Sequence, residues 1–200
     1  MKRKPLSKTR LDKIDSSIKQ RQFTLEAAIE NIHDPHNVSA ILRSCDAVGA
    51  HRASLIYYRE KLPKISKKIS ASAFKWVERK IYESVQECYD DYRKKGFKIY
   101  ASMLTDDAVS LYDLDLTEPC VFVFGNEHRG LSEEASEMSD AKYFIPMRGM
   151  VQSLNVSVAA AVSLYEAQRQ RMEKGMYETQ LSEEKINELI DEWSIKKYEL

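Results

Sequence analysis

Short apolar runs bounded by loop signals recur along this chain and predict buried strands of a parallel sheet. Residues 25–31 form the first run, and residues 76–82 form a further candidate. Four more runs of the same character lie at 53–58, 98–103, 120–125 and 142–147.

Apolar residues at helical spacing alternate with these runs and predict helices between the strands. One stripe extends from Val38 to Val48 and stops at Gly49, a residue that suits a helix C terminus. Residues 83–96 predict a second such helix. Because strand-like and helix-like segments alternate, the sequence predicts an α/β fold with a mostly parallel sheet.

Each end of the chain carries an amphipathic pattern of its own. Residues 11–18 place apolar side chains on one helical face among Lys and Arg. Ser182 can cap a second helix, whose apolar stripe extends from Ile186 to Trp193. That stripe must pack either on its own domain or on a second subunit. We therefore divide the chain into a basic N-terminal extension (1–22), a central α/β domain (23–172) and a C-terminal helical extension (173–200).

Charge and composition narrow the class of protein only slightly. Lys+Arg and Asp+Glu both number 31, so the net charge is zero and only local clusters can attract a polyanion. No apolar run approaches the roughly 20 residues that cross a bilayer, and the basic start lacks the apolar stretch of a secretory signal. Cys45, Cys88 and Cys120 are widely spaced, which disfavours a disulfide framework or a zinc site. We expect a cytoplasmic protein that holds no metal.

The glycines of this chain do not form a common nucleotide motif. Neither G-x-G-x-x-G after the first strand nor G-x-x-x-x-G-K-[ST] occurs, which excludes the usual dinucleotide fingerprint and the P-loop. Three glycines instead fall late, at Gly125, Gly130 and Gly149.

Residues 31–49 form the first segment with potential chemistry. We expect Asp34-Pro35 to end the strand, and Asn37 or Ser39 to cap the following helix. Arg43 lies opposite the apolar stripe of that helix, and we expect it near the carboxyl end of the first strand, where α/β sheets bind ligands. An ordinary solvated arginine is the alternative. His33, Asp34 and His36 lack a further ligand cluster, so capping and turn roles are favoured over a metal site.

Residues 124–134 form the second segment. A hydrophobic strand ends in Gly125, and Glu127 follows in a loop just past the sheet. Ser132 has the character of an N-cap followed by acidic residues. An ordinary strand-to-helix turn is the alternative reading of this segment.

Residues 145–167 form the third segment. Pro146 and Gly149 predict an irregular loop whose main-chain groups are not used by a sheet, and the uncharged run 156–165 predicts a helix packed on most sides. A planar heterocycle such as adenine would satisfy those main-chain groups, with Ile145, Met147 and Leu154 as apolar walls.

Taken together, the three segments resemble the three ordered motifs of the SPOUT superfamily of RNA methyltransferases. The similarity covers roughly residues 7–197 and is greatest to the TrmH (SpoU) family of tRNA guanosine 2′-O-methyltransferases. The matching residues are Asn31 to Gly49, then Gly125-Asn126-Glu127 with Gly130-Leu131, then Ile145-Pro146-Met147 with Ser153-Leu154-Asn155.

The resemblance implies a fold and an assembly that periodicity does not reveal. Members of this family have an α/β domain whose C-terminal part forms a deep trefoil knot, and they are homodimers with the cofactor cleft beside the subunit interface. The small residues between Val156 and Tyr165 would then suit an interface helix. By position, S-adenosylmethionine (SAM) would be bound, largely through main-chain groups, by Ser102, Gly125, Ile145, Met147, Ser153 and Leu154.

The resemblance also assigns catalytic roles. Arg43 matches the family's catalytic residue, and Asn37, Glu127 and Asn155 match residues that shape the site. A free guanidinium is a poor general base because its pKa lies above ~12. Either a substrate phosphate helps Arg43 to lose a proton, or Arg43 clamps that phosphate and orients the ribose.

Contact with tRNA requires local basic patches, because the net charge is zero. Residues 1–10 and 59–68 concentrate Lys and Arg and could contact phosphates, although solvated surface lysines are the alternative. Two positions depart from the family pattern: Arg148 replaces the usual leucine or isoleucine, and residues 70–74 replace a Gly/Ser-rich loop that contains His.

The sequence thus favours SAM-dependent 2′-O-methylation of a guanosine in the tRNA D-loop. A related activity on ribosomal RNA or on another tRNA position is one alternative. A non-catalytic RNA-binding module is another, which the presence of Asn37, Arg43, Glu127 and Asn155 disfavours.

Overall fold

The computed structural model describes residues 7–63, 75–179 and 181–195 of the chain. The helices within these residues are α1 (Lys8–Lys19), α2 (Pro35–Ala47), α3 (Val85–Lys94), α4 (Glu133–Glu137), α5 (Val156–Glu173) and α6 (Glu183–Ile195). The strands are β1 (Gln22–Glu30), β2 (Ala50–Ile56), β3 (Glu78–Tyr82), β4 (Lys98–Ser102), β5 (Val109–Ser110), β6 (Cys120–Phe124) and β7 (Ala141–Phe144).

The strands form one sheet in the order β3-β2-β1-β6-β4-β7-β5, and every pair is parallel. The predicted α/β class is therefore confirmed, and the sheet is wholly parallel where a mostly parallel one was expected. All strands consequently point their carboxyl ends toward the same edge of the sheet. Loops that leave this edge are the ones that can build a site together.

Helices cover both faces of the sheet, which explains why its central strand β6 is apolar and buried along its whole length. Ala27 and Ile29 of β1 face a core that also contains side chains of α2 and α5. Ala28, between them, faces the opposite core, to which α3 and α4 contribute. This alternation follows from the two-residue repeat of a strand.

The start of α2 differs from the sequence prediction. Asp34, not Asn37 or Ser39, is the N-cap, and its side chain accepts a hydrogen bond from the backbone N–H of His36 at 2.8 Å. Pro35 occupies the first turn, where its missing N–H costs nothing. The earlier cap leaves the Asn37 amide available for contacts elsewhere.

The last strand also ends earlier than predicted. Strand β7 stops at Phe144, whereas the apolar run extends to Met147. Pro146 accounts for the difference, because it has no N–H to donate to a ladder. Residues 146–154 make no backbone–backbone hydrogen bond with any described residue, which confirms the irregular loop.

The two terminal helices pack on each other. Ile14 and Ile18 of α1 share a small core with Ile186 and Trp193 of α6. The Arg21 guanidinium lies 4.9 Å from the centre of the Trp193 ring. The stripe on α6 is therefore covered by its own chain, which decides between the two alternatives left by the sequence.

Helix α5 is less enclosed than the sequence predicts. One face contributes Ala160, Leu164 and Ala167 to the main core. The opposite face exposes Val158 and Tyr165, which are 46% and 51% exposed, so the helix is not packed on most sides within one chain. The absence of charge between residues 156 and 165 predicted a helix packed on most sides, but within one chain only one face of α5 is buried.

The amino-terminal edge of the sheet is closed by Arg171 of α5, which is fully buried. Its guanidinium donates to the carbonyl oxygens of Thr24, Leu116 and Glu118, each at 2.9 Å, and to the Thr24 hydroxyl at 2.9 Å. These bonds join the starts of β1 and β6 to the end of α5. Among the described residues, no helix has the length and apolarity needed to span a membrane.

Candidate functional site

A cleft of about 960 Å³ opens at the carboxyl-terminal edge of the sheet. Its volume is typical of small-molecule sites, which measure about 300–1,000 Å³. The walls are the end of β4, the segments that follow β6 and β7, and the loop that enters α5. All six residues that the resemblance assigns to the cofactor line this cleft: Ser102, Gly125, Ile145, Met147, Ser153 and Leu154.

The turn after β6 can close only because Gly125 has no side chain. A Cβ atom there would lie 2.2 Å from the backbone of Gly130 and Leu131. Asn126 and Gly130 exchange two backbone hydrogen bonds of 2.9 and 2.8 Å, and Gly130 adopts a positive φ of 70°. The Asn126 side chain donates to the Asn31 carbonyl at 2.7 Å, which fastens this turn to the end of β1.

Glu127, within this turn, connects the second segment to the first. Its carboxylate accepts hydrogen bonds from the backbone N–H groups of His33 and Asp34, at 3.1 and 3.2 Å, and from the Asn37 amide at 2.9 Å. Burial opposes the charged form, but these donors outweigh it and lower the pKa of Glu127. A carboxylate that is held ionised in this way is a poor proton acceptor and a good positioning group.

Asn155 extends the same chain of hydrogen bonds to the third segment. Its side-chain amide donates to the side-chain Oδ1 of Asn37 at 3.2 Å. Its own side-chain oxygen accepts from the backbone N–H of Ser157 at 2.9 Å and so caps α5. Three of the four residues predicted to be catalytic are thus joined side chain to side chain: Glu127 and Asn155 line the cleft, and Asn37 bonds to both of them from behind.

Arg43, the fourth residue predicted to be catalytic, neither lines this cleft nor bonds to a described residue that does. Helix α2 returns antiparallel to β1, and Arg43 lies roughly 12 Å along the helix from Pro35, at 1.5 Å per residue. Its side chain is exposed, as predicted, and makes no hydrogen bond or ion pair with another described residue. The expectation that Arg43 stands at the ligand edge of its own chain is therefore not met.

Several cleft residues escaped the sequence analysis. Met103 and Leu104 follow β4 and form part of the wall, and Leu104 is 68% exposed there. Tyr143 lies in the cleft floor, where its hydroxyl is 2.8 Å from the Ser163 hydroxyl. Their position at carboxyl ends of strands was the available signal for all three.

The remaining predictions at the site have mixed outcomes. Ser132 is the N-cap of α4, as predicted, and accepts from the backbone N–H of Ala135 at 3.1 Å. Within the described part of the chain, no group of three or more His, Cys, Asp or Glu side chains is arranged to hold a metal ion. Residues 70–74 lie outside the described residues, as do residues 1–6 and 64–68 of the two basic patches.

Comparison with known proteins agrees with this geometry. Residues 24–165 match the SpoU rRNA Methylase family. The tRNA (guanosine(18)-2′-O)-methyltransferase of Thermus thermophilus is 40% identical over 188 residues, covering 94% of this chain and 96% of the relative. The enzyme of the same name from Aquifex aeolicus is 42% identical over 187 residues, covering 92% and 88%.

Solved structures show the same similarity in three dimensions. The A. aeolicus TrmH/SpoU tRNA modifying enzyme superposes with a TM-score of 0.87 at 40% identity, covering 94% of this chain and 98% of that one. The SpoU methyltransferase AviRb from Streptomyces viridochromogenes, in complex with the cofactor AdoMet, gives a TM-score of 0.67 at 26% identity, covering 77% and 59%.

Proposed function

This chain belongs to the SpoU rRNA Methylase family, and from that membership we propose that it transfers a methyl group from SAM to the ribose 2′-oxygen of a guanosine in the tRNA D-loop. The relatives that match nearly its whole length are named for that reaction. The structural observation that carries the proposal is the cleft itself, in which all six residues assigned to the cofactor converge.

The residues present fit SAM. Ile145, Met147 and Leu154 offer apolar walls to an adenine ring, and the main chain of residues 146–154 has donors and acceptors that no other described main-chain group uses. Gly125 keeps the adjoining turn narrow enough to leave the cleft open. When bound, SAM supplies a methyl group already activated by a positive sulfur, so the protein need not provide an acid for this step.

The protein must then place the ribose hydroxyl in line with that methyl group and assist the departure of its proton. Glu127 and Asn155 line the cleft for this purpose, and Asn37 holds both in place because its side chain is hydrogen-bonded to each of them. We assign Arg43 to the phosphate beside the ribose, which its planar guanidinium can bind with two parallel hydrogen bonds. Bound in this way, Arg43 keeps its protons and orients the hydroxyl, whose own proton passes to solvent as its oxygen takes the methyl group.

A homodimer would reconcile the position of Arg43 with this role. Helix α2 packs against α5, whose outer face exposes Val158, Tyr165 and Met172 at intervals of seven residues. Seven residues are close to two helical turns, so these side chains form one apolar stripe. Association of two chains through this face would bury the stripe and bring Arg43 to the interface, where it can face the cleft of the partner.

Three further features complete the proposal. The segment from β6 to α5 forms a trefoil knot, as the family resemblance implies. Residues 23–172 form the methyltransferase domain, and the extensions 1–22 and 173–200 flank it, as the shared core of α1 and α6 supports. The protein acts in the cytoplasm on tRNA and needs no metal ion, because neither the activated methyl group nor the proton transfer calls for one.

Incubation of unmodified tRNA transcripts with SAM labelled in its methyl group, followed by nuclease mapping, tests the reaction. We expect label on a ribose of a D-loop guanosine. Label on a base would contradict the reaction, and label elsewhere in tRNA or on ribosomal RNA would contradict only the target. Absence of both label and SAM binding would favour a non-catalytic RNA-binding module.

A further inference from the structure

A second cavity, of about 290 Å³, lies on the other side of the turn that follows β6. Asn126 and Gly130 line both this cavity and the large cleft, so the turn is the wall between the two. The two cavities therefore adjoin, and one flexible polymer can enter both. The role proposed above for the cleft does not account for the second cavity.

An aromatic ring forms one side of this second cavity and is held in place. Tyr58 is 37% exposed, and its hydroxyl donates to the Glu30 carboxylate at 2.5 Å. Glu30 is only 2% exposed and also accepts from the backbone N–H of Ser132 at 2.9 Å. A ring that is fixed at its hydroxyl end and open on a face offers a stacking surface.

Two arginines stand at the mouth of the same cavity. The Arg59 guanidinium lies 5.5 Å from the centre of the Tyr58 ring and forms no ion pair with another described residue. Arg129 is held by Glu60 at 2.7 Å, yet its side chain remains 52% exposed. Both guanidiniums can therefore reach a phosphate that passes over the opening.

This combination selects one class of ligand. An aromatic face beside guanidiniums is the pattern that binds single-stranded nucleic acid, with the base on the ring and the phosphate on the arginines. A small free anion fits less well, because the carboxylates of Glu30 and Glu133 also line the cavity and would repel it from the interior. A nucleotide keeps its charge at the mouth and places only its base inside.

We propose that this second cavity binds an unpaired nucleotide next to the one that is methylated, with its base against Tyr58 and its phosphate on Arg59 and Arg129. The proposal rests on the proposed function, because it requires an RNA whose target ribose lies in the large cleft. It adds a contact outside the cleft that fixes the register of the RNA strand. The target is then selected partly by a neighbour that is unstacked and can turn outward.

Substitution of Tyr58 is the first test. We expect Tyr58→Ala to raise the Kd for an unmodified tRNA transcript about tenfold or more, since a base loses its stacking surface. Tyr58→Phe keeps the ring and loses only the hydroxyl, so its Kd for tRNA should stay within about threefold of the wild-type value. The Kd for SAM, measured by calorimetry without RNA, should be the same in all three proteins.

Charge removal is the second test and does not depend on the folding of Tyr58→Ala. We expect Arg59→Gln to weaken tRNA binding and to reduce the slope of log Kd against log salt by about 0.7, the value for one phosphate of a single strand. Lys98→Gln is the matched control, because Lys98 is an exposed cation at the amino-terminal end of β4, on the opposite edge of the sheet. Its slope should equal that of the wild type.

The outcomes separate this inference from the proposed function. If the wild-type protein methylates tRNA but Tyr58→Ala and Arg59→Gln bind tRNA normally, the second cavity is not a nucleotide site. If Tyr58→Ala weakens SAM binding and thermal stability as much as RNA binding, Tyr58 is a structural residue and the inference also fails. Failure of the wild-type protein to label any RNA would instead overturn the proposed function.

Discussion

The two edges of the sheet differ in whether their main-chain polar groups have hydrogen-bond partners within the protein. At the amino-terminal edge, the buried Arg171 guanidinium meets three carbonyl oxygens and a hydroxyl, so the main chain there is satisfied within the protein. At the carboxyl-terminal edge, residues 146–154 leave their main chain without backbone partners among the described residues and surround a cleft of about 960 Å³.

The contrast shows how one sheet can provide both stability and binding. Residues 146–154 are exposed or half-buried, so water can bind their main-chain groups, and the loop needs only an anchor to hold it beside the cleft. The chain of hydrogen bonds through Asn37, Glu127 and Asn155 is that anchor at the open edge. A ligand can then complete the main-chain bonds that the fold leaves unmade.

The largest effect should come from substituting Arg171 at the amino-terminal edge of the sheet, and it should be a loss of stability. Arg171→Met leaves three carbonyl oxygens without their donor, and we expect it to lower the free energy of unfolding by about 4 kcal/mol. Denaturation in urea measures this change. Arg169→Met, on the same helix, is the control, because Arg169 is 54% exposed and should change stability by less than about 1 kcal/mol. If the two substitutions lower the free energy of unfolding equally, the buried hydrogen bonds of Arg171 stabilise the fold no more than the exposed ion pairs of Arg169.

The next largest effect should come from Arg43, which is exposed and makes no hydrogen bond or ion pair with another described residue. Arg43→Lys keeps the charge but loses the planar fork, and we expect kcat to fall about 100-fold, equivalent to about 2.7 kcal/mol. The free energy of unfolding should change by less than about 0.5 kcal/mol because the side chain is exposed. Single-turnover methylation of tRNA measures the loss. Full activity of the lysine variant would mean that Arg43 supplies charge alone.

A smaller effect should follow from crowding the turn beside the cleft. In Gly125→Ala the new Cβ would lie 2.2 Å from the backbone of Gly130, so the turn must shift, at a cost of about 2 kcal/mol. SAM binding should weaken together with thermal stability. Gly149→Ala is the control, because no atom lies within 4 Å of its added Cβ. If Gly125→Ala keeps the SAM affinity and the thermal stability of the wild type, the turn is not a rigid wall of the cleft.

The smallest effect should be the pH dependence of the stability that Glu127 contributes through its hydrogen bonds. The pKa of Glu127 is lowered in the folded protein, so its charge stabilises the fold above the ordinary carboxyl value of 4.5, and this stabilisation is lost as pH falls through the folded-state pKa. Near pH 7, Glu127→Gln should cost about 1 kcal/mol, the net value of one hydrogen bond. Unfolding measured from pH 7 down to pH 3 should show the gap between wild type and variant closing. A constant gap would exclude a role for the charge.

Local pattern was sufficient for most of the fold. The buried strands appeared near their predicted positions, because a sheet covered on both faces demands continuous apolar runs. Strand β5 was missed, since Val109 and Ser110 alone carry no recognisable pattern. The strand order also could not be predicted, because β1 pairs with β6 across about half the length of the chain and no local signal encodes that contact.

Motif position was sufficient to predict which residues line the cleft. It did not predict the location of a residue that depends on the direction in which its helix runs. The six cofactor positions converge because each follows or ends a parallel strand or enters α5. The cap at Asp34 was missed because Asn37 and Ser39 are equally good capping residues, and the choice among them depends on Pro35. The separation of Arg43 from the cleft follows from the path of α2 and is invisible in the spacing of its residues.

The pairing of α1 with α6 has a consequence for the order of events during synthesis. Ile14 and Ile18 emerge from the ribosome early, but the side chains that cover them, Ile186 and Trp193, are made about 170 residues later. At translation rates of about 5–20 residues per second, the first helix therefore waits on the order of ten seconds or more for its partner. Throughout that interval its apolar stripe is open to chaperones, and the nascent protein can pack α1 on α6 only after the sheet between them has been made.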